Sequence, residues 1–129
     1  MTLVLDAGGV SALAGQRARL AELRRRGQWP AQVPAVVLAE ALTGEHRRDF
    51  HVNRLLRACQ IRDVDEWQAR EGARLRTLTG RAGTITATDA IVAAYASSCA
   101  DPVVLLTSDP TDLRALSEGA TRPIIVAAV

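Results

Sequence analysis

Short apolar runs alternate with longer segments of helical periodicity, and this alternation constrains the fold more than any other feature of the chain. Residues 2–5 and 103–107 are apolar or β-branched throughout, and residues 123–129 form a last run of the same kind. Unbroken runs suit strands covered on both faces, and strands separated by helices pair in parallel through crossovers. Between the runs, Val10, Leu13, Leu20 and Leu23 predict a helix to about residue 26, closed by Gly27. A loop with Trp29 and Pro30 leads to a helix that starts at Pro34 and ends near Gly44. Val52, Leu55, Leu56 and Cys59 mark the next helix, and residues 61–64 alternate as a brief strand. Trp67, Glu71, Arg74, Leu75 and Leu78 keep helical spacing up to Gly80, and residues 90–99 read as a buried helix. A short helix over residues 112–117 completes the set. The expected fold is α/β: a single domain over residues 1–129, a three-layer αβα sandwich with a central, mainly parallel sheet.

Composition removes several function classes. All sixteen basic residues are arginine. A P-loop needs its lysine on the phosphates and Schiff-base enzymes need a lysine amine, so both are excluded. The net charge of +2 is too small to argue for nucleic-acid binding by itself. Cys59 and Cys99 lack metal-ligand spacing and lie on apolar helical faces, the setting of buried free thiols. No apolar run approaches the ~20 residues that span a membrane. The N-terminus lacks the basic flank and cleavable apolar stretch of a secretory signal, so a cytoplasmic location without membrane attachment is expected.

Four carboxylates stand where apolar runs end or helices begin. Asp6 follows the first run, Glu40 lies in Pro34-Ala35-Val36-Val37-Leu38-Ala39-Glu40, Asp89 opens the buried helix, and Asp109 follows Val103-Val104-Leu105-Leu106-Thr107-Ser108. Functional groups of open α/β sheets gather beyond the carboxyl ends of the strands, so these acids are expected to converge. Converged carboxylates repel, and a divalent cation relieves the repulsion. Mg²⁺ takes oxygen ligands, and in such a site it activates water and stabilises charge on phosphoryl oxygens. The pattern points to phosphodiester cleavage.

Each acid also has an ordinary explanation. Asp89 fits a capping box with Thr86, Asp6 can cap the helix after it, and Asp109 and Asp112 flank Pro110-Thr111 in turn and N-cap positions. Glu40 alone reads as a solvated helix residue, against its apolar neighbours Val36, Val37, Ala39 and Ala41. Arg24-Arg25-Arg26 reads as a solvated helix end, His46 and His51 as surface residues, and Trp29 and Trp67 as packing or interface anchors. The functional reading rests on the coincidence of four acids.

The chain resembles the PIN domains, and within them the VapC-type toxins of toxin–antitoxin pairs. The matching pieces are Val4-Leu5-Asp6-Ala7, Val33-Pro34-Ala35-Val36-Val37-Leu38-Ala39-Glu40, Thr88-Asp89-Ala90-Ile91-Val92-Ala93-Ala94-Tyr95-Ala96 and Leu105-Leu106-Thr107-Ser108-Asp109-Pro110-Thr111-Asp112-Leu113. The resemblance implies a Mg²⁺- or Mn²⁺-dependent endoribonuclease with Asp6, Glu40, Asp89 and Asp109 as catalytic and metal-binding acids. Asp112 is a fifth member, or the fourth ligand in place of Asp109. It also implies a homodimer, an RNA substrate and a VapB-like antitoxin whose tail occupies the active-site groove. The chain departs from the pattern at Ala7-Gly8-Gly9-Val10, where many relatives carry a small hydroxyl residue; Thr107 and Ser108 offer hydroxyls from the other strand. That departure motivates a second reading, a catalytically weak or inactive module that binds RNA or protein. A phosphatase with a nucleophilic aspartate ranks last, because Gly8 stands where its second aspartate belongs and there is no lysine.

Overall fold

The computed structural model describes residues 1–129. The chain runs β1 (Thr2–Leu5), α1 (Ala7–Ala14), α2 (Arg17–Arg25), β2 (Gln32–Pro34), a 3-10 turn (Ala35–Val37), α3 (Leu38–Ala41) and α4 (Phe50–Arg57). It continues through β3 (Gln60–Arg62), α5 (Glu66–Leu78), α6 (Ala87–Ser98), β4 (Val103–Thr107), α7 (Pro110–Glu118) and β5 (Ile124–Ala128). The strands form one sheet in the order β3-β2-β1-β4-β5, and every pairing is parallel. From β1 the chain first steps outward through β2 and β3, then returns to the other side of β1 for β4 and β5. Right-handed crossovers in opposite directions place helices on opposite faces. Accordingly α1 packs with α2, α3 and α4, while α5, α6 and α7 pack with one another. The expected αβα sandwich is the fold found.

The core lies on both faces of the two central strands. Val4, Leu5, Val33, Val37, Leu105 and Leu106 are buried, with Val10 and Leu13 in one helix layer and Leu75, Val92, Ala93 and Leu113 in the other. Helix α6 is buried nearly all round, as its composition requires.

Three elements differ from the sequence reading. The helix expected to about residue 26 is two helices, because Gly15 closes α1 and its N–H bonds the carbonyl of Ala12. Leu13, Leu20 and Leu23 still face inward on both sides of the break, so the apolar stripe conceals it. Strand β2 stands where the sequence suggested a helix start; it is only Gln32-Val33-Pro34, and a proline in a three-residue strand does not read as one. Helix α5 buries Gln68, Gly72 and Leu75, whereas Trp67 is 53% exposed.

Gly72 explains that choice of face. A Cβ there would lie 3.2 Å from backbone atoms of Ala90, so α5 and α6 approach closely only because position 72 has no side chain. Gly72→Val is expected to lower the unfolding free energy by about 1–3 kcal/mol through overpacking, read by urea denaturation. Gly83→Ala adds its methyl to open space and is expected to shift stability by no more than about 0.5 kcal/mol. Equal losses at the two positions would contradict the close approach.

Candidate functional site

The strand order reverses between β1 and β4, and a crevice beyond the carboxyl ends of these two strands is where open α/β sheets place their ligands. Asp6 follows β1 directly and is buried. One of its carboxylate oxygens (Oδ1) accepts the Gly9 N–H at 2.7 Å, which caps α1, and the other (Oδ2) accepts the Thr107 hydroxyl at 2.6 Å. Thr107, the last residue of β4, also accepts the Asp109 N–H through its hydroxyl oxygen at 3.1 Å. The two strand ends are thus tied by side chains where their backbone ladder stops.

The two glycines after Asp6 are required by this junction. A Cβ on Gly9 would fall 2.3 Å from the Leu106 carbonyl oxygen, and one on Gly8 would fall 2.2 Å from the Ser108 hydroxyl oxygen. The first turn of α1 therefore lies directly against the end of β4. The Ser108 hydroxyl fills the space that a side chain at position 8 would take, so the departure at Gly8-Gly9 is matched by two hydroxyls from the neighbouring strand.

Asp89 sits in the first turn of α6, where its N–H bonds the Thr86 hydroxyl, so the capping role read from sequence is present. Its carboxyl is nevertheless pushed up to about 6, first by burial and then by the negative charges of Asp6, Glu40 and Asp112. Burial also raises the Asp6 carboxyl, against the hydrogen bonds from Thr107 and Gly9, and the charge of Glu40 adds to the rise. Asp6, Glu40, Asp89 and Asp112 therefore share one electrostatic neighbourhood.

The acids differ in how they are held. Glu40 projects from α3 and is exposed. Its neighbourhood is fixed by Asp49, a buried residue that the sequence reading passed over. Asp49 accepts the Thr43 and Gly44 N–H groups at 2.9 and 2.8 Å and the Thr43 hydroxyl at 2.8 Å. These bonds, the Thr43 backbone first, hold its carboxyl below the usual range. The one signal for it was an aspartate just ahead of an amphipathic helix. Asp109 is exposed and caps α7 through Thr111. Asp112, one turn into α7, is among the charges that act on Asp89, and it pairs with Arg81 at 3.4 Å.

The donor set consists of carboxylate and hydroxyl oxygens, the ligand type of Mg²⁺ and Mn²⁺. No group of three or more His, Cys, Asp or Glu is drawn together tightly enough to chelate an ion. The set suits an ion that keeps most of its waters and takes one or two carboxylates directly, as Mg²⁺ does.

Solved structures with the same architecture include three VapBC complexes. The DNA-bound VapBC from Salmonella typhimurium matches at 18% identity and a TM-score of 0.72, covering 99% of this chain and 98% of that one. VapBC2 from Rickettsia felis, bound to a DNA fragment from its promoter, matches at 16% identity and a TM-score of 0.73 over 100% and 99%. VapBC-1 from nontypeable Haemophilus influenzae matches at 14% identity and a TM-score of 0.70 over 99% and 98%. The chain has their fold. No protein-family model and no curated relative matches the sequence. The PIN-like fold expected from the four motifs is therefore established by shape, at identities too low to carry function.

The raised Asp89 carboxyl has a signed consequence. The folded state holds that proton more tightly than the unfolded chain, whose carboxyl titrates near 3.8, so Asp89 favours folding at low pH. That contribution is lost as pH rises from about 4 to about 6. In EDTA, Asp89→Asn is expected to raise the melting temperature near pH 7.5, with the gain vanishing near pH 4. A lower melting temperature for the variant near pH 7.5 would contradict the repulsion.

Proposed function

We infer that this chain is a divalent-metal-dependent endoribonuclease of the VapC type, the toxin of a toxin–antitoxin pair acting in the cytoplasm. The observation that carries the reading is the placement of Asp6 at the end of β1 and Asp89 in the first turn of α6 at the strand-order reversal of a PIN-like sheet. The charges of Asp6, Glu40 and Asp112 act on Asp89 there. Carboxylates held together without a cation destabilise a fold, and a site for one accounts for their placement. Asp6 and Asp89 would hold the ion in this reading, with Glu40 and Asp112 adding negative charge beside it. Asp112 is preferred to Asp109 because its charge is among those that raise the Asp89 carboxyl. A bound Mg²⁺ or Mn²⁺ supplies an activated water and charge stabilisation at the phosphoryl oxygens.

The chain's own residues do the rest. Thr107 and Gly9 orient both oxygens of Asp6, so its carboxylate keeps a fixed direction at the mouth of the crevice. Asp89, whose carboxyl is pushed up to about 6 by burial and neighbouring acids, is an acid whose charge a bound cation would stabilise. The Ser108 hydroxyl stands beside Gly8 at the same rim, available as a further oxygen donor.

Two surfaces support the proposed partners. A groove of ≈ 480 Å³ between α1, α2 and α4 has an apolar floor of Leu13, Leu20 and Leu55 and a rim with Arg17, Arg24 and Arg54. It fits an apolar segment with acidic flanks, the chemistry required of the antitoxin. From there a chain reaches the acids along α1, whose eight residues span about 12 Å. Exposed Ile61 and Trp67, on β3 and α5, offer apolar area for a homodimer.

The second reading, a PIN-like module that binds without cutting, is favoured by one observation. The acids are not drawn to chelating distance of one another. Cleavage of total RNA decides between the readings. With Mg²⁺ or Mn²⁺ the protein is expected to give discrete fragments, and EDTA, Asp6→Asn or Asp89→Asn to reduce cleavage by at least about 100-fold. Undiminished cleavage by both folded variants would exclude these acids as the centre. No cleavage by the folded wild type with either metal would favour the binding module.

A further inference from the structure

Five of the six ion pairs in the molecule join residues three or four apart on the chain, such as Arg26 with Glu22 and Arg70 with Glu66. These are local pairs within one turn of chain, all but Arg74–Glu71 solvent-exposed and of small value. The sixth joins Arg81 to Asp112 across the α5–α6 loop and α7, and it is the one that brings a cation to the acids described above. At 3.4 Å, with side chains 43% and 32% exposed, it is long and solvent-screened, so stability does not account for it.

The loop that carries Arg81 is built to hold it. Gly80 turns the chain with φ +69°, a conformation that favours glycine. The Arg81 N–H donates to the Thr79 hydroxyl at 3.0 Å. Its carbonyl accepts the Thr84 N–H at 2.9 Å, the Thr84 hydroxyl at 3.1 Å and the Ile85 N–H at 3.1 Å. Ile85 is buried, and its own carbonyl accepts the Arg76 guanidinium at 2.7 Å. Four residues beyond Ile85 the same segment presents Asp89 from the first turn of α6. One anchored loop thus positions a guanidinium and a carboxylate on the same crevice.

We propose that Arg81 is the residue that grips the RNA phosphate at the acidic centre, resting on Asp112 until a phosphate displaces that contact. This rests on the nuclease reading of the acids. A backbone phosphate approaching Asp6, Glu40, Asp89 and Asp112 meets like charge, and a cation beside them offsets it. Guanidinium suits the task because its planar donors match two phosphate oxygens at once, and it stays charged at any working pH. The same donors stabilise the charge that develops on the non-bridging oxygens during cleavage. Arg81 makes and breaks no covalent bond and transfers no proton.

The test uses the full chain and a labelled single-stranded oligoribonucleotide, in two arms. In EDTA, where metal-dependent cleavage is blocked, fluorescence anisotropy is followed over a range of salt concentrations. Arg81→Ala is expected to weaken binding and to flatten the slope of log K against log salt by about 0.7, the loss of one phosphate contact. Arg81→Lys is expected to keep the slope. With Mn²⁺, Arg81→Ala is expected to cleave on the order of 100-fold more slowly, with the melting temperature and Mn²⁺ affinity unchanged, and with partial rescue by Arg81→Lys. Wild-type slope and rate in Arg81→Ala would overturn the proposal. A slow variant with weakened Mn²⁺ binding would also overturn it, since Arg81 would then act through Asp112. A wild type that cleaves nothing refutes the nuclease reading, while the salt slope still decides whether Arg81 contacts RNA. Should Arg81→Ala fold poorly, Arg81→Gln keeps most of the side-chain stem and is expected to flatten the slope equally.

Discussion

The hydrogen bond from the Thr107 hydroxyl to the buried carboxylate of Asp6 is the contact on which the site depends. It joins the last residue of β4 to the residue that leaves β1, at the place where the strand order reverses. Asp6 spends its other oxygen on the Gly9 N–H, so one carboxylate sets the end of a strand, the start of a helix and the spacing of two strands. The glycines follow from that geometry. With α1 pressed against the Leu106 carbonyl, no side chain fits at position 9, and position 8 is already occupied by the hydroxyl of Ser108. A side chain at position 9 would push α1 off β4, whereas one at position 8 would first displace the Ser108 hydroxyl.

Electrostatics then gives the junction its chemical character. Asp6 is buried with hydrogen bonds that favour its charged form, while Asp89 faces it with a carboxyl displaced upward by burial and by three other acids. A structural ion-pair network would have matched these acids with arginines, of which the chain has many. Instead the arginines pair locally on exposed helix faces, and Arg81 alone reaches across to the group. In the reading proposed above, an acid cluster so little compensated within its own chain would take up positive charge from outside.

The legibility of the chain followed from what each element buries. Strands β1, β4 and β5 are apolar runs with no competing pattern, and they were evident from the sequence, as was the parallel α/β class. Strand β2 was not, because Gln32-Val33-Pro34 is held by its neighbours β1 and β3 rather than by any local preference. The break at Gly15 was hidden by a leucine stripe that continues across it. The inward face of α5 was misread because Trp67 suggests burial, whereas the packing is decided by the absence of a side chain at Gly72. For the site, the positions of Asp6 and Asp89 at element edges could be read directly. Glu40 could be located, and its exposure on the single short turn of α3 agrees with the solvated reading it has alone, against its apolar neighbours. Arg81 was invisible, because its meaning lies in a contact with Asp112 that local sequence does not encode. Asp49, which fastens the segment after Glu40, depends on the fold in the same way.

The central claim is that these carboxylates form a seat for a divalent cation. Its most direct test is anomalous diffraction from crystals of the protein soaked in Mn²⁺. The account predicts a strong peak within coordination distance of Asp6 and Asp89, with Glu40 and Asp112 beside it. Crystals that admit Mn²⁺ elsewhere on the surface yet show no density beside Asp6 would contradict it.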